Sequence, residues 1–217
     1  MLITCEIKKT IFVGTEYDSV PVFIFRDNII IFCINFYYLS DNGGRMNRKK
    51  LLNRTIIIGI LTVWLAGSLF HFVYDWTGKN TIAGLFFPTN ESTWEHMKLV
   101  FLPMNLYGLA TWYVLKDKFK VTGFAVFMGI ITGTWAIPFL YYTYMGVLGF
   151  SRMWLDIGTF FVAVLAGYAV EYHILRRAGN KEFGLGTWIL AIADFVMAVA
   201  FAACSYNAPS LGIFLEP

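Results

Sequence analysis

The sequence predicts an all-α protein, a polytopic bundle of five transmembrane helices with its amino terminus in the cytoplasm and its carboxyl terminus outside. Three observations predict it. Hydrophobic residues make up 58% of the 217-residue chain and charged residues only 14%, against about a quarter charged in soluble domains. After Met46, five apolar stretches each approach the ~20 residues that a bilayer core requires. Ten of the thirteen lysines and arginines after Met46 fall in three short clusters, before the first stretch, between the second and third, and between the fourth and fifth.

The spans are expected at Thr55 to Tyr74, Thr93 to Leu115, Val121 to about Tyr142, Met153 to Leu175 and Gly186 to Tyr206. The second is the least apolar and contains Pro103. The third carries Pro138 near its end. The basic clusters are Arg48, Lys49, Lys50 and Arg54; Lys116, Lys118 and Lys120; and Arg176, Arg177 and Lys181. The alternate loops hold only Lys79, Lys98 and Arg152. Positive charge stays on the cytoplasmic side, so this bias sets the orientation. Gly129-Ile130-Ile131-Thr132-Gly133 matches the G-x-x-x-G pattern of close helix approach, and Gly158, Ala163 and Gly167 supply small residues in the fourth span. Tight packing within one chain is the expected use. Trp76, Trp94 and Trp154 suit an outer aromatic belt, and Trp112 and Trp188 an inner one.

Residues 1–45 depart from this pattern. Val20 to Leu39 is apolar, but Arg26 and Asp27 interrupt it, each costing about 2.5 to 3.5 kcal/mol at a helix centre. All seven tryptophans follow Met46. Residues 1–45 are therefore expected to be a non-native or disordered extension, with the five-helix domain at 46–217. Cys5, Cys33 and Cys204 have no redox or metal spacing. The net charge of +3 reflects orientation and gives no ground for nucleic-acid binding.

Ionisable side chains inside a membrane are costly and usually carry a role. Here they gather at the expected outer face: His71 and Asp75 close the first span, Glu91, Glu95 and His96 open the second, and Asp156 opens the fourth. Ser68, His71 and Asp75 share one helix face. Ser92-x-x-Glu95 reads as a capping box, and the helix dipole favours acids there while keeping His96 neutral. His71, Asp75, Glu95 and His96 form either a polar hydrogen-bonded cluster that fixes the outer loop or a mixed nitrogen and oxygen set suited to a divalent metal such as zinc, iron or manganese. Asn90, Glu91 and Asp156 would line the same polar pocket. Asp194, mid-span in the fifth helix, should point inward beneath it, with Ser68, His71, Thr132, Thr134 or a tyrosine as partner. Glu171 and His173, beside Arg176 and Arg177, read as interfacial ion pairs. The long link from Trp76 to Ser92 should fold back as a lid or re-entrant turn.

Two runs carry a resemblance. His71-Phe72-Val73-Tyr74-Asp75-Trp76-Thr77-Gly78, then Gly84-Leu85-Phe86-Phe87-Pro88-Thr89-Asn90-Glu91-Ser92-Thr93-Trp94-Glu95-His96-Met97-Lys98-Leu99, resemble a family of small bacterial integral membrane proteins of unknown function. The likeness extends from about Met46 to Gly212-Ile213-Phe214-Leu215-Glu216-Pro217. It implies a multi-pass protein of the bacterial inner membrane and supplies no activity. Ser68, His71 and Asp75 also echo, by analogy only, the membrane hydrolases that include alkaline ceramidases and adiponectin receptors. Those use seven helices and histidines on the last one, which has none here.

The expected function is binding of a ligand, cation or partner in the outward-facing polar pocket. The alternatives are a metal-dependent intramembrane hydrolase or transferase acting on lipid, and a small transporter or channel subunit. The lipid bilayer is the expected partner, together with a second copy of the chain or another membrane protein.

Overall fold

The computed structural model describes residues 47–216; Cys5, Cys33, the Val20 to Leu39 segment and the expected boundary at Met46 lie outside them. The described residues form helices α1 (Arg48–Trp76), α2 (Thr81–Phe86), α3 (Thr93–Leu115), α4 (Thr122–Leu148), α5 (Met153–Ala178) and α6 (Gly184–Cys204), then a 3-10 turn at Gly212–Phe214, with no strand among them. Helices α1, α4, α5 and α6 are long and apolar enough to cross a membrane. Large apolar side chains cover their outward faces, among them Ile57, Leu61 and Leu65 on α1 and Ile192, Phe195 and Val199 on α6. A water-facing surface would not carry so much contiguous apolar area.

Helix α3 differs in composition, and its position explains why. At 23 residues it runs about 35 Å, enough for a hydrocarbon core of about 30 Å. It packs against α1, α4, α5 and α6, and most of its residues are buried. Protein covers most of it, with Leu109, Trp112 and Tyr113 exposed in its second half, so polar residues in the first half can find protein partners.

Several elements are longer than hydropathy predicts. Helix α1 begins at Arg48, ahead of the expected Thr55, and α4 runs on to Leu148. Hydropathy marks the part a bilayer would cover, while intrahelical hydrogen bonding continues into the polar layer. Gly149, at φ 74°, ends α4 in the left-handed region, which favours glycine.

The α4–α5 contact is the most extensive in the bundle. A β-carbon at Gly129 would stand 3.0 Å from the Gly167 carbonyl oxygen, and one at Gly133 would stand 3.3 Å from that of Ala163. The G-x-x-x-G stripe is thus spent inside one chain. Gly158, by contrast, faces open space.

The three basic clusters meet at one end. The Arg48 guanidinium lies 4.1 Å from the centre of the Phe119 ring and donates to Asn180 Oδ1 at 2.8 Å. That contact ties the start of α1 to the α3–α4 and α5–α6 turns. Trp76, Trp112, Trp154 and Trp188 are exposed. Trp94 is not a belt residue: its ring packs on Phe201 and Phe214, each at 4.8 Å.

Candidate functional site

The opposite end of the bundle carries the polar residues, and α3 divides them into two groups. One group faces α1. His71, in the last turns of α1, places Nε2 3.7 Å from Glu91 Oε1, and His96, in the first turn of α3, places Nε2 3.3 Å from Glu91 Oε2. The imidazole centres are 5.4 Å apart. One donor atom from each of the three residues lies within 4.8 Å of the others.

Local sequence builds this arrangement. Ser92 caps α3, its Oγ accepting from Glu95 N at 3.3 Å. Asn90 Oδ1 accepts from Ser92 N at 3.0 Å, which sets the turn that aims Glu91 at the two rings. His96 Nδ1 lies 2.9 Å from the Ser92 carbonyl oxygen. A carbonyl only accepts, so Nδ1 carries a proton and donates. A neutral ring would then turn its Nε2 lone pair toward the Glu91 carboxylate. That pairing is repulsive unless a cation, either a proton or a metal, sits between them. The expectation of a neutral His96 rested on the helix dipole alone and left out this carboxylate. The hydrogen bond with His96 holds the Glu91 carboxyl below its ordinary range, against partial burial, with the charges of His96 and His71 adding to the effect.

The second group faces α6 and is closed. Lys98 and Glu95 are both buried, 2% and 1% exposed. Lys98 Nζ donates to Glu95 Oε2 at 2.8 Å, to the Gly84 carbonyl at 3.1 Å and to Ser205 Oγ at 2.5 Å. All three ammonium protons are used. Glu95 also accepts from Thr89 N at 2.9 Å and from Ser205 Oγ at 3.1 Å. Only half the expected capping box forms, because the Glu95 carboxylate reaches Thr89 N and not Ser92 N. The ion pair locks α2, the following loop and the end of α6 onto α3. Lys98 is therefore a core residue, not the loop cation that its place in the sequence implied.

Several expected residues stand elsewhere. Asp75 is exposed and outside the histidine group. Ser68 is exposed and donates to the Trp64 carbonyl at 2.8 Å, so the Ser–His–Asp likeness is not assembled. Asp156 accepts from Tyr144 Oη and, at 3.0 Å, from Ser151 Oγ, which joins α5 to the end of α4; its charge also acts on His96 through space. Asp194 accepts from Asn105 Nδ2 at 3.3 Å, a partner absent from those expected for it. Asn105 is seven residues past Lys98, on the same face of α3, so Asp194 lies beneath the ion pair and not beneath the histidines. Asp194→Asn is expected to preserve the fold, while Asp194→Leu should weaken it by about 0.6 kcal/mol, the usual worth of one interhelical hydrogen bond, read by melting in detergent.

Glu171 does not form the expected interfacial ion pair. It is 2% exposed, packs beside Gly129, and Oε1 has no hydrogen-bond partner. It forms no ion pair among the described residues. Arg176 and Arg177 are five and six positions away and lie off its face.

The loop after α1 closes over the start of α3. Asn80 caps α2, its side chain accepting from Ile82 N at 2.8 Å. Ala83 and Phe87 pack on Ala66, Phe70 and Leu99, and Tyr206 Oη donates to the Thr81 carbonyl at 2.8 Å.

Fold and site together define an all-helical, multi-pass membrane protein with two imidazoles and a carboxylate gathered at one end of its bundle. The family model described as a family of unknown function (DUF6512) matches residues 45–217, and the chain belongs to that family. No curated protein and no solved structure matches it.

Proposed function

We propose that the protein is a five-span membrane protein that captures a divalent transition-metal cation at its outer face through His71, His96 and Glu91. Helix α3 is the fifth span, placed in the bundle centre. The amino end is cytoplasmic, because the three basic clusters share one end, and this puts the histidine end outside.

One observation carries the reading. Two imidazoles converge on one carboxylate, with the His96 tautomer fixed by Ser92 so that Nε2 faces Glu91. This is the outer hydrogen bond that metal-binding histidines usually make. Tetrahedral zinc ligands at about 2.0–2.1 Å from the ion stand about 3.3 Å from one another. Glu91 Oε2 and His96 Nε2 already have that spacing, and His71, with the three donor atoms within 4.8 Å of one another, closes the set by moving inward. Three protein ligands leave a fourth position open, as in sites that hold water or substrate. A lipid-directed hydrolase would use that position to activate water. The buried Val63, Val100 and Val164 give the core an apolar character that favours a terminal site over a conduit.

Titration of the purified, metal-free protein with Zn²⁺ or Co²⁺ tests this. A single saturable site is expected. His71→Ala, His96→Ala and Glu91→Gln should each weaken it by at least about 10–100-fold, the loss seen for even an outer-shell partner. Binding should rise with pH through the imidazole range, because protons compete for the same nitrogens. In metal-free protein the Glu91 carboxyl is held low, so its contact with protonated histidine persists at mildly acid pH. It is lost only as pH falls through that depressed value. Unchanged affinity in all three variants refutes the assignment.

A further inference from the structure

The basic end of the bundle holds a cleft of about 510 Å³ that the metal reading does not use. Arg48, Lys49, Arg176, Arg177 and Lys181 line it, and among the described residues no carboxylate does. Its floor is apolar, built from Leu52, Leu175 and Phe119. The nearest acid in sequence, Glu182, is turned to Lys120 at 2.6 Å. Arg176 and Arg177 stand in the last turn of α5, whose negative carboxyl end offsets them only in part, and Arg48, Lys49 and Lys181 add three further cations. The positive amino end of α1 opens on the same cleft. Arg48 is held in place, its guanidinium between the Phe119 face and Asn180 Oδ1. A β-carbon at Gly179 would stand 2.8 Å from its Nη2, so the glycine makes room for that pose.

We propose that this cleft is a binding site for a phosphate group, occupied by the headgroup of an anionic phospholipid. Arginine forks match phosphate oxygens, and lysines add point charge. The cleft lies where α1 starts and α5 ends, which is headgroup depth for helices of this length. An apolar floor beneath a cationic rim suits an amphiphile better than a free ion. Basic pockets between spans are a recognised form of headgroup site.

The test uses the full chain in nanodiscs. Melting is compared in phosphatidylcholine alone, with added phosphatidylglycerol, and with inorganic phosphate in place of the anionic lipid. Phosphatidylglycerol is expected to raise the midpoint, with less effect at high salt. Each cation removed should cost about fivefold in lipid affinity, equivalent to about 1 kcal/mol. Arg176→Gln/Arg177→Gln should therefore lose roughly 25-fold, and Lys49→Gln roughly fivefold. Lys116→Gln/Lys118→Gln, outside the cleft, should change little. If inorganic phosphate alone reproduces the shift, the site stands with a free anion as ligand. If neither probe shifts melting, or the Lys116/Lys118 variant loses as much as the Arg176/Arg177 variant, the proposal is overturned.

Discussion

Lys98→Met lowers the stability of the bundle by about 3–5 kcal/mol, the cost of removing one partner from a buried ion pair. The methionine fills nearly the same space, so the loss comes from charge and not from a cavity. Glu95 would remain buried, keeping Thr89 N and Ser205 Oγ as donors but losing its cation. The Gly84 carbonyl and Ser205 Oγ would each lose the Lys98 donor. The lid of α2 and the end of α6 should loosen together, because both are fastened through Lys98. Converting Glu95 to Met as well should recover most of the loss, since a buried pair is often replaceable by apolar residues of similar volume. Detergent melting of the single and double variants measures both effects. A single variant within about 1 kcal/mol of wild type, where exposed pairs fall, would mean that the pair is not buried.

Gly167→Leu forces α4 and α5 apart. A β-carbon at Gly167 would stand 2.7 Å from the Gly129 carbonyl oxygen, 3.0 Å from Met104 Cε and 3.2 Å from Gly133 Cα. Two of these are backbone atoms that cannot rotate aside. Alanine already requires the helices to move, and overpacking of this kind costs about 1–3 kcal/mol or more. The loss should grow from Ala through Val to Leu. Gly158→Ala on the same helix meets nothing and serves as the neutral control. Equal melting of the Gly167 series and wild type would contradict the close α4–α5 approach.

Much of the architecture was legible because membrane helices announce themselves by apolar length and by where cations stop. The start of α3 near Thr93 was legible from its cap, although α3 falls short of the hydropathy that marks the other long helices. The convergence of His71 and His96 was legible too, since both stand near the same end of adjacent helices. Their shared carboxylate was not: sequence places Glu91 in the pocket lining and favours Asp75 and Glu95 as metal ligands. Asp75 lies in the last turn of α1, beside its end, and stays in the open. Glu95 had a local competitor that spacing could have revealed, because Lys98 sits at i+3 on a helix with few other charges.

Proximity to arginines in sequence suggests an ion pair for Glu171, but its helix face is the better guide. It continues the Ala163, Gly167 stripe at i+8 and i+4, which predicts burial against α4. The Asn105–Asp194 contact depends on how α3 and α6 are set in depth against each other, and no single sequence contains that register. Such partners are found only when the helices are assembled.

X-ray absorption at the zinc edge of the loaded protein tests the central assignment most directly. A first shell of two imidazole nitrogens with oxygen from Glu91, at about 2.0–2.1 Å, and no sulfur is expected. His71→Ala and His96→Ala should each remove one imidazole from that shell or abolish binding. A shell without imidazole, or one unaltered in both variants, would contradict it.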